Sequence, residues 1–456
     1  MGQILIENAY VVTMDGGRTV YDGGGVLVEG DRIRGVGVID PALVSPDAER
    51  LDAAGRIVMP GLINSHVHLS QQLGRGMGDD VGLLTWLHER TFPYESNMTE
   101  EDSYISSMAC IAEQIRCGVT TFAEPGGQEV DGMGRAVSET GIRGILARST
   151  MDGGDGLPPK FQETTDQCLA IQEENIRNWH KAAGGRIRVW FGLRTLFNNS
   201  DELVRRTKAL ADKYGVGIHM HVAEVYDEVE YTKATRGASP VELLHKLGAL
   251  GENLLAVHTV WLTDREIDLF LLHGVKVSHN PAAAMRVLGF ARVPEMLAKG
   301  ICVSIGTDGA PSNNRMDLID EMYLTSLLHK GRTLNPAIVP AEKILEMVTC
   351  DAAKCLLWED EIGSIEPGKK ADLAIFNLNS FSSRPVHDPI SNLVYANKST
   401  NVEYTMVDGR WLMKERKLTT IDEGKLLDMT QRAAEDLLGR AGIRLPERFP
   451  VVKCKP

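Results

Sequence analysis

Apolar and polar positions alternate along the first fifty or so residues, in ILIENAYVVTM and again in GVLVEGDRIRGVG, with DGGR between them and a Gly-Asp turn inside the second run. A period of two bounded by turn residues predicts a small antiparallel sheet. From residue 57 the pattern changes to short apolar runs separated by segments of helical period. Eight runs read as strands: GLINSH (61–66), VTTFAE (119–124), GILARST (144–150), RIRVWFGL (186–193), VGIHMHVA (216–223), LLAVHTV (254–260), VKVSHN (275–280) and CVSIGTD (302–308). Between the first two, in EDSYISSMACIAEQIRCG, residues Met108, Ile111, Ala112 and Ile115 recur at helical spacing. Eight strands with helical crossovers predict an α/β fold, a closed (β/α)8 TIM barrel. One further helix is expected in AEKILEMVTCDAAKCL, after which GSIEPGKKADLAIFN and YTMVDGRWLM return to strands and turns. Because both ends are β-rich and the middle is barrel, the ends are expected to fold together as one discontinuous domain.

Composition narrows the function. The chain has 456 residues, 43% of them hydrophobic and 24% charged, which excludes a disordered or fibrous protein. Sixty-two acidic against 49 basic residues leave a net charge of −13, which repels phosphate backbones and anionic lipid. Nucleic acid and membrane are therefore not expected as partners. No apolar run approaches the roughly 18–20 residues of a membrane span. The N-terminal MGQILIENAY lacks a basic segment followed by an apolar one, so a cytoplasmic location is expected. The seven cysteines are scattered and form no C-x-x-C pair, which suggests reduced core residues rather than disulfides or a thiolate metal cluster.

Candidate chemistry gathers at the ends of the predicted strands. His66 and His68 are separated by one residue, and the strand period places both imidazoles on one face, as a single metal ion requires. A lone His-x-His is a weak signal; its recurrence is what carries weight. His221 ends the fifth strand, Glu224 follows three residues later, His258 lies in the sixth strand and Asp308 ends the eighth. Barrel enzymes draw their catalytic groups from the C-terminal ends of several strands.

The segments PGLINSHVHLSQQLGRG, GIHMHVAE, AVHTVW, VSHNPAAAMRVLG and IGTDGAPSNN, with EPGKKADLAIF near the end, resemble the amidohydrolase superfamily. More narrowly they are similar to its branch of S-adenosylhomocysteine and methylthioadenosine deaminases and s-triazine (atrazine-type) hydrolases. That resemblance covers nearly the whole chain. It implies a barrel over residues 58–362 and a composite β-sandwich from 1–57 plus 363–456. Matched position by position, His66, His68, His221 and Asp308 are implied as metal ligands, and Glu224 and His258 as the acid/base and its partner.

The residue chemistry agrees with that assignment. Three neutral imidazoles and a carboxylate can hold one divalent ion, zinc or alternatively Fe2+, and leave a position for water whose pKa the ion lowers. Glu224 can protonate a ring nitrogen of the substrate and later the departing amine. Asp308 can accept the water's proton, and His258 can stabilise the tetrahedral adduct. Two-metal relatives bridge their ions with a carboxylated lysine on the fourth strand; RIRVWFGL has none, which favours one ion.

Other side chains have bland readings beside the functional ones. His219 shares a face with His221 but reads as a hydrogen-bonded supporting group, whereas His279 is a candidate substrate contact. Trp86 and Phe92 either wall the pocket or pack a helix, and Arg148 reads best as half of a structural ion pair. After the fourth strand, where nucleoside deaminases of this branch carry a sugar-binding histidine and a Pro-Tyr pair, this chain has GLRTLFNNSDEL. Arg194 and Asn198 are the candidates to contact substrate there, although asparagine also favours turns. The expected function is hydrolytic deamination of an aminated heterocycle of purine, nucleoside, pterin or s-triazine type, by a homo-oligomer whose partner is that small molecule. Displacement of chloride or alkylamine from a triazine-like ring is the alternative, and a barrel that binds without catalysis is the third reading.

Overall fold

A computed structural model describes residues 2–82, 85–452 and 454. Eight parallel strand positions close the barrel: Leu62–Asn64, Val119–Ala123, Arg143–Leu146 continued by Ser149–Thr150, Ile187–Val189 continued by Phe191–Leu193, Ile218–Val222, Leu254–His258, Lys276–His279 and Val303–Ile305. Each falls within a run expected from its apolar pattern, except that the third begins one residue earlier, at Arg143. The backbone N–H of Ser65 donates to the Ile305 carbonyl at 3.1 Å, joining the last strand to the first. The third and fourth positions are interrupted by one or two unpaired residues. At the second break the Trp190 ring turns over Gly217, where a Cβ would come within 2.4 Å of it, so glycine is required there. The expected helix Glu100–Arg116 is present and starts on a reciprocal cap between Thr99 and Asp102.

Strands from both termini form one nine-stranded sheet. Its junction is Arg56–Pro60, which runs antiparallel to Leu373–Asn377 with Val58 opposite Ile375. Ile6, Val28, Val58, Ile375 and Met406 share a single buried cluster, so the two halves fold over one core as a sandwich does. The turn in YTMVDGRWLM has left-handed backbone at Asp408 (φ 48°) and Gly409 (φ 70°), the conformation that a two-residue hairpin needs.

Two details differ from the expected outline. The helix expected over 341–356 is two helices, Ala341–Met347 and Cys350–Cys355, parted where β-branched Val348 and Thr349 leave helical backbone. The C-terminal region also holds a long helix, Glu423–Arg440, whose Ala433 and Leu437 pack with Leu73, Met77, Tyr94 and Met98 from the segment after the first barrel strand. We propose the division into a barrel and a composite sheet domain with this helix counted on the barrel side. The boundary between residues 57 and 58 falls inside Arg56–Pro60. Among the described residues no helix is long and apolar enough to cross a membrane.

Candidate active site

Parallel strands bring their C-terminal ends to one mouth, and six polar side chains meet there. His66 Nε2 lies 3.3 Å and His68 Nε2 3.5 Å from Asp308 Oδ1. His66, His221 and His258 offer ring nitrogens within 4.8 Å of one another. His258 Nε2 stands 3.7 Å from Glu224 Oε1 and 3.9 Å from Asp308 Oδ2. His66, His68, His221 and Asp308 are all buried, and Glu224 reaches further toward solvent.

The donor set suits a divalent ion. His66 Nε2 is buried with no hydrogen-bond partner among the described residues, although it faces Asp308. Burial, followed by neighbouring positive charge, pushes the pKa values of His66, His68 and His221 well below the ordinary imidazole value, so the rings stay neutral as ligation requires. Their other nitrogens are held from behind. His66 Nδ1 is 3.0 Å from His219 Nε2, His221 Nδ1 is 2.9 Å from the Arg194 carbonyl, and His68 Nδ1 is 3.8 Å from Glu124 Oε1. Such outer contacts fix ring orientation and tautomer. Glu224 has its pKa raised, mainly by burial and also by the charge of Asp308, with His258 and Arg194 opposing the shift.

Some of the chain's left-handed backbone lies here. Ala223 (φ 50°), His258 (φ 67°), Thr259 (φ 49°) and Asp308 (φ 63°) all occupy left-handed backbone that side-chain-bearing residues rarely adopt. Each sits where a strand ends and the chain must turn a polar side chain inward, the usual place for such strain.

Three buried glutamates brace the surrounding loops, and none was singled out from the sequence. Glu124 accepts the backbone N–H groups of Leu69 and Gly126, Glu228 those of Leu196 and Glu224, and Glu321 that of Ala282 together with the Asn313 amide. The available signal was weak: Glu124 closes its strand run, and Glu228 lies one helical turn past Glu224. Burial raises all three from 4.5 to about 8. Because the folded pKa exceeds the unfolded one, the stabilising contribution is complete below pH 4.5 and is lost as pH rises through about 8. Thermal melting should therefore drop as pH rises from about 4.5 to about 8 and level off above that. Glu321→Gln, which cannot ionise, should flatten that drop; an unchanged slope would refute the protonated state of Glu321.

The candidate substrate residues are placed unevenly. A cavity opens onto Glu224 and Asp308 and is lined by Trp86, Val81, Leu288, Arg286 and Pro311. Arg194 is buried beside the ligands, with Nη1 at 3.3 Å from both carboxylate oxygens of Glu95; that carboxylate also accepts from Gln71 Nε2 at 2.8 Å. Asn198 is drawn away from the cavity, its side-chain amide donating to the Gly153 carbonyl. His279 is fully buried and meets His329 at 3.3 Å between Nε2 atoms. Phe92 packs with Met151, Leu157 and Phe161, and Arg148 forms a paired hydrogen bond with Glu163.

Comparison with known proteins agrees with this architecture. The model of the amidohydrolase family matches residues 57–412. The chain is 38% identical over 437 residues to the 5'-deoxyadenosine deaminase of Methanobrevibacter smithii, covering 95% of this chain and 98% of that one. A zinc-bound adenosine deaminase from Xanthomonas campestris superposes with a TM-score of 0.91 at 27% identity, covering 96% of this chain and 99% of that one. The zinc complex of atrazine chlorohydrolase from Arthrobacter aurescens gives 0.89 at 26% identity, over 94% and 100%. A barrel of this order, with its histidine and carboxylate cluster at the mouth and matched over most of its length, belongs to the amidohydrolase family.

Proposed function

We propose that the protein is a metal-dependent hydrolytic deaminase of an aminated nitrogen heterocycle, releasing ammonia. The observation that carries this reading is that His66 lies in one tight group with His68 and Asp308 and in another with His221 and His258, with Glu224 beside His258 and a cavity opening onto Glu224 and Asp308. His66, His68, His221 and Asp308 would hold one divalent ion. We assign zinc to it because the solved relatives carry zinc. When bound, the ion supplies Lewis-acid activation of water. Asp308 is placed to take a proton, and Glu224 to deliver one to the ring and then to the amine. His258, 3.7 Å from Glu224, is placed to stabilise the charge that develops on the attacked carbon's oxygen substituent. Trp86 forms part of the apolar wall that excludes water. We include cytoplasmic location and homo-oligomeric assembly in the proposal. The second is supported by exposed Tyr226, Trp261, Val287 and Phe290 beside the mouth, and sedimentation equilibrium is its check.

Relatives named as deaminases of 5'-deoxyadenosine and of 5-methylthioadenosine/S-adenosylhomocysteine favour an adenosine-type substrate. Arg194 favours a different emphasis, because a guanidinium borders the ligand cluster where those nucleoside enzymes are expected to present a histidine. Its positive charge acts on His66, His68, His221 and Glu224. We propose that Arg194, which like Asn198 and His279 lies outside the cavity lining, reaches a polar ring that need not carry a ribose, with Asn198 and His279 supporting the pocket. Likeness to atrazine chlorohydrolase keeps displacement of chloride or alkylamine as the second reading.

An ammonia-release screen over adenosine-type nucleosides, free bases, pterins and aminotriazines tests the reaction. Arg194→Ala should raise KM for the preferred ring about 10- to 100-fold, the worth of a charged hydrogen bond of about 1.5–3 kcal/mol, with the metal retained. A strong preference for nucleosides that survives Arg194→Ala unchanged would remove Arg194 from substrate recognition. Chloride or alkylamine release without ammonia would replace the deaminase by the second reading.

A further inference from the structure

We infer that Glu228 is a positioning residue for the acid/base Glu224, holding the strained turn that aims it into the site; the inference rests on the role proposed for Glu224. The fifth barrel strand ends at Val222, and the chain then turns through Ala223, whose backbone is left-handed at φ 50° although the residue carries a Cβ. That conformation is unfavourable for a residue with a Cβ and persists only where neighbouring structure enforces it. Glu224 follows directly, and its own N–H donates to Glu228 Oε2 at 3.2 Å. The other carboxylate oxygen, Oε1, accepts the N–H of Leu196 at 3.2 Å. Glu228 itself is 1% exposed and sits in the first turn of the helix Tyr226–Arg236.

A plain helix cap explains only part of this arrangement. A glutamate at the third helical position commonly reaches back to the backbone at the helix start. The bond to Leu196 goes instead to another element, the loop after the fourth barrel strand. That loop contains Arg194, whose carbonyl meets His221 Nδ1 at 2.9 Å. Arg236, at the end of the same helix, donates to the carbonyls of Leu196 and Asn199 and so ties that loop down a second time. One carboxylate thus links the acid/base to the loop that orients a metal ligand. Glu124 and Glu321 brace neighbouring loops in a similar way, but only Glu228 bonds the amide of the acid/base itself.

The test uses the full-length, metal-loaded protein with Glu228→Gln and Glu228→Ala. Gln keeps one acceptor oxygen and the side chain's shape, and serves if Ala folds poorly. A misplacement near 1 Å costs about 10²-fold in rate. We therefore expect kcat to fall about 10²-fold in Ala and less in Gln, with KM nearly unchanged and metal content equal to wild type. The limb of the pH–rate profile set by Glu224 should shift in both variants. A crystal structure of either variant supplies a readout that needs no substrate: Ala223 should leave left-handed backbone, and Glu224 should withdraw from its 3.7 Å approach to His258. Lowered melting temperature with wild-type kcat, pH profile and Glu224 placement would reduce Glu228 to a helix cap and overturn the inference. If wild type proves not to deaminate, the crystallographic comparison still decides the positioning role, while the proposed reaction fails separately.

Discussion

His66→Ala or His68→Ala should remove metal and turnover together while leaving the barrel folded. Each imidazole belongs with Asp308 to one tight group of potential ligands, and its loss leaves Asp308 facing an incomplete set. Lewis-acid activation is worth several kcal/mol, so turnover should fall about 10³-fold or more. The fold should survive because the barrel has its own apolar core, including Ile63, Phe122, Ile145, Phe191, Met220, Ala256, Val277 and Ile305, which the substitutions do not touch. Elemental analysis beside circular dichroism and an activity assay reads all three quantities. A fully active preparation without a transition metal would overturn the metal-dependent reading, and two firmly bound ions per chain would overturn the single site.

Glu224→Gln should separate proton transfer from metal binding. The substitution preserves size and a carbonyl acceptor but removes the proton that must reach the ring and the leaving amine. Acid/base assistance is worth about 10² to 10⁴ in rate, so turnover should fall by that factor while metal content stays at the wild-type level. Glu224 has no place in the clusters of potential ligands, which is why the two effects should part. Near wild-type deamination by Glu224→Gln would show that the proton travels by another route. His258→Ala should also lose turnover, to a smaller extent, since water can partly replace an imidazole that stabilises charge; His258 lies among the potential ligands with His66 and His221, and retained metal in this variant would assign the ion to the other four groups.

Most of the barrel was legible because its strands are buried on both faces and therefore appear as uninterrupted apolar runs. The histidine and carboxylate cluster at the mouth was legible for a related reason: polar residues at the ends of such runs have no structural need to be there. What escaped was set by contacts distant in sequence. Glu228 looks like an ordinary first-turn glutamate until Leu196, 32 residues earlier, donates to it. The Arg194–Glu95 pair spans 99 residues and gives no local pattern. Asn198 illustrates the opposite case, where a loop position after the fourth strand suggested substrate contact and the side chain instead closes the loop against Gly153. The break at Val348–Thr349 was hidden because the helical period of apolar positions continues across it.

The pairing of Arg56–Pro60 with Leu373–Asn377 bears on the order in which the protein can be built. As the chain leaves the ribosome, the N-terminal strands emerge first, yet the neighbour that covers their inner edge is synthesised more than three hundred residues later. The hydrogen bond between Arg56 and Glu403 spans 347 positions. All eight barrel strands lie between residues 62 and 305, so the barrel has its strands in hand before the small sheet can close. Throughout that interval an apolar strand edge stands open to other nascent chains, the situation in which strand pairing between molecules competes with folding. Closing the small sheet with strands from both ends of the chain therefore leaves that edge exposed for most of the chain's synthesis.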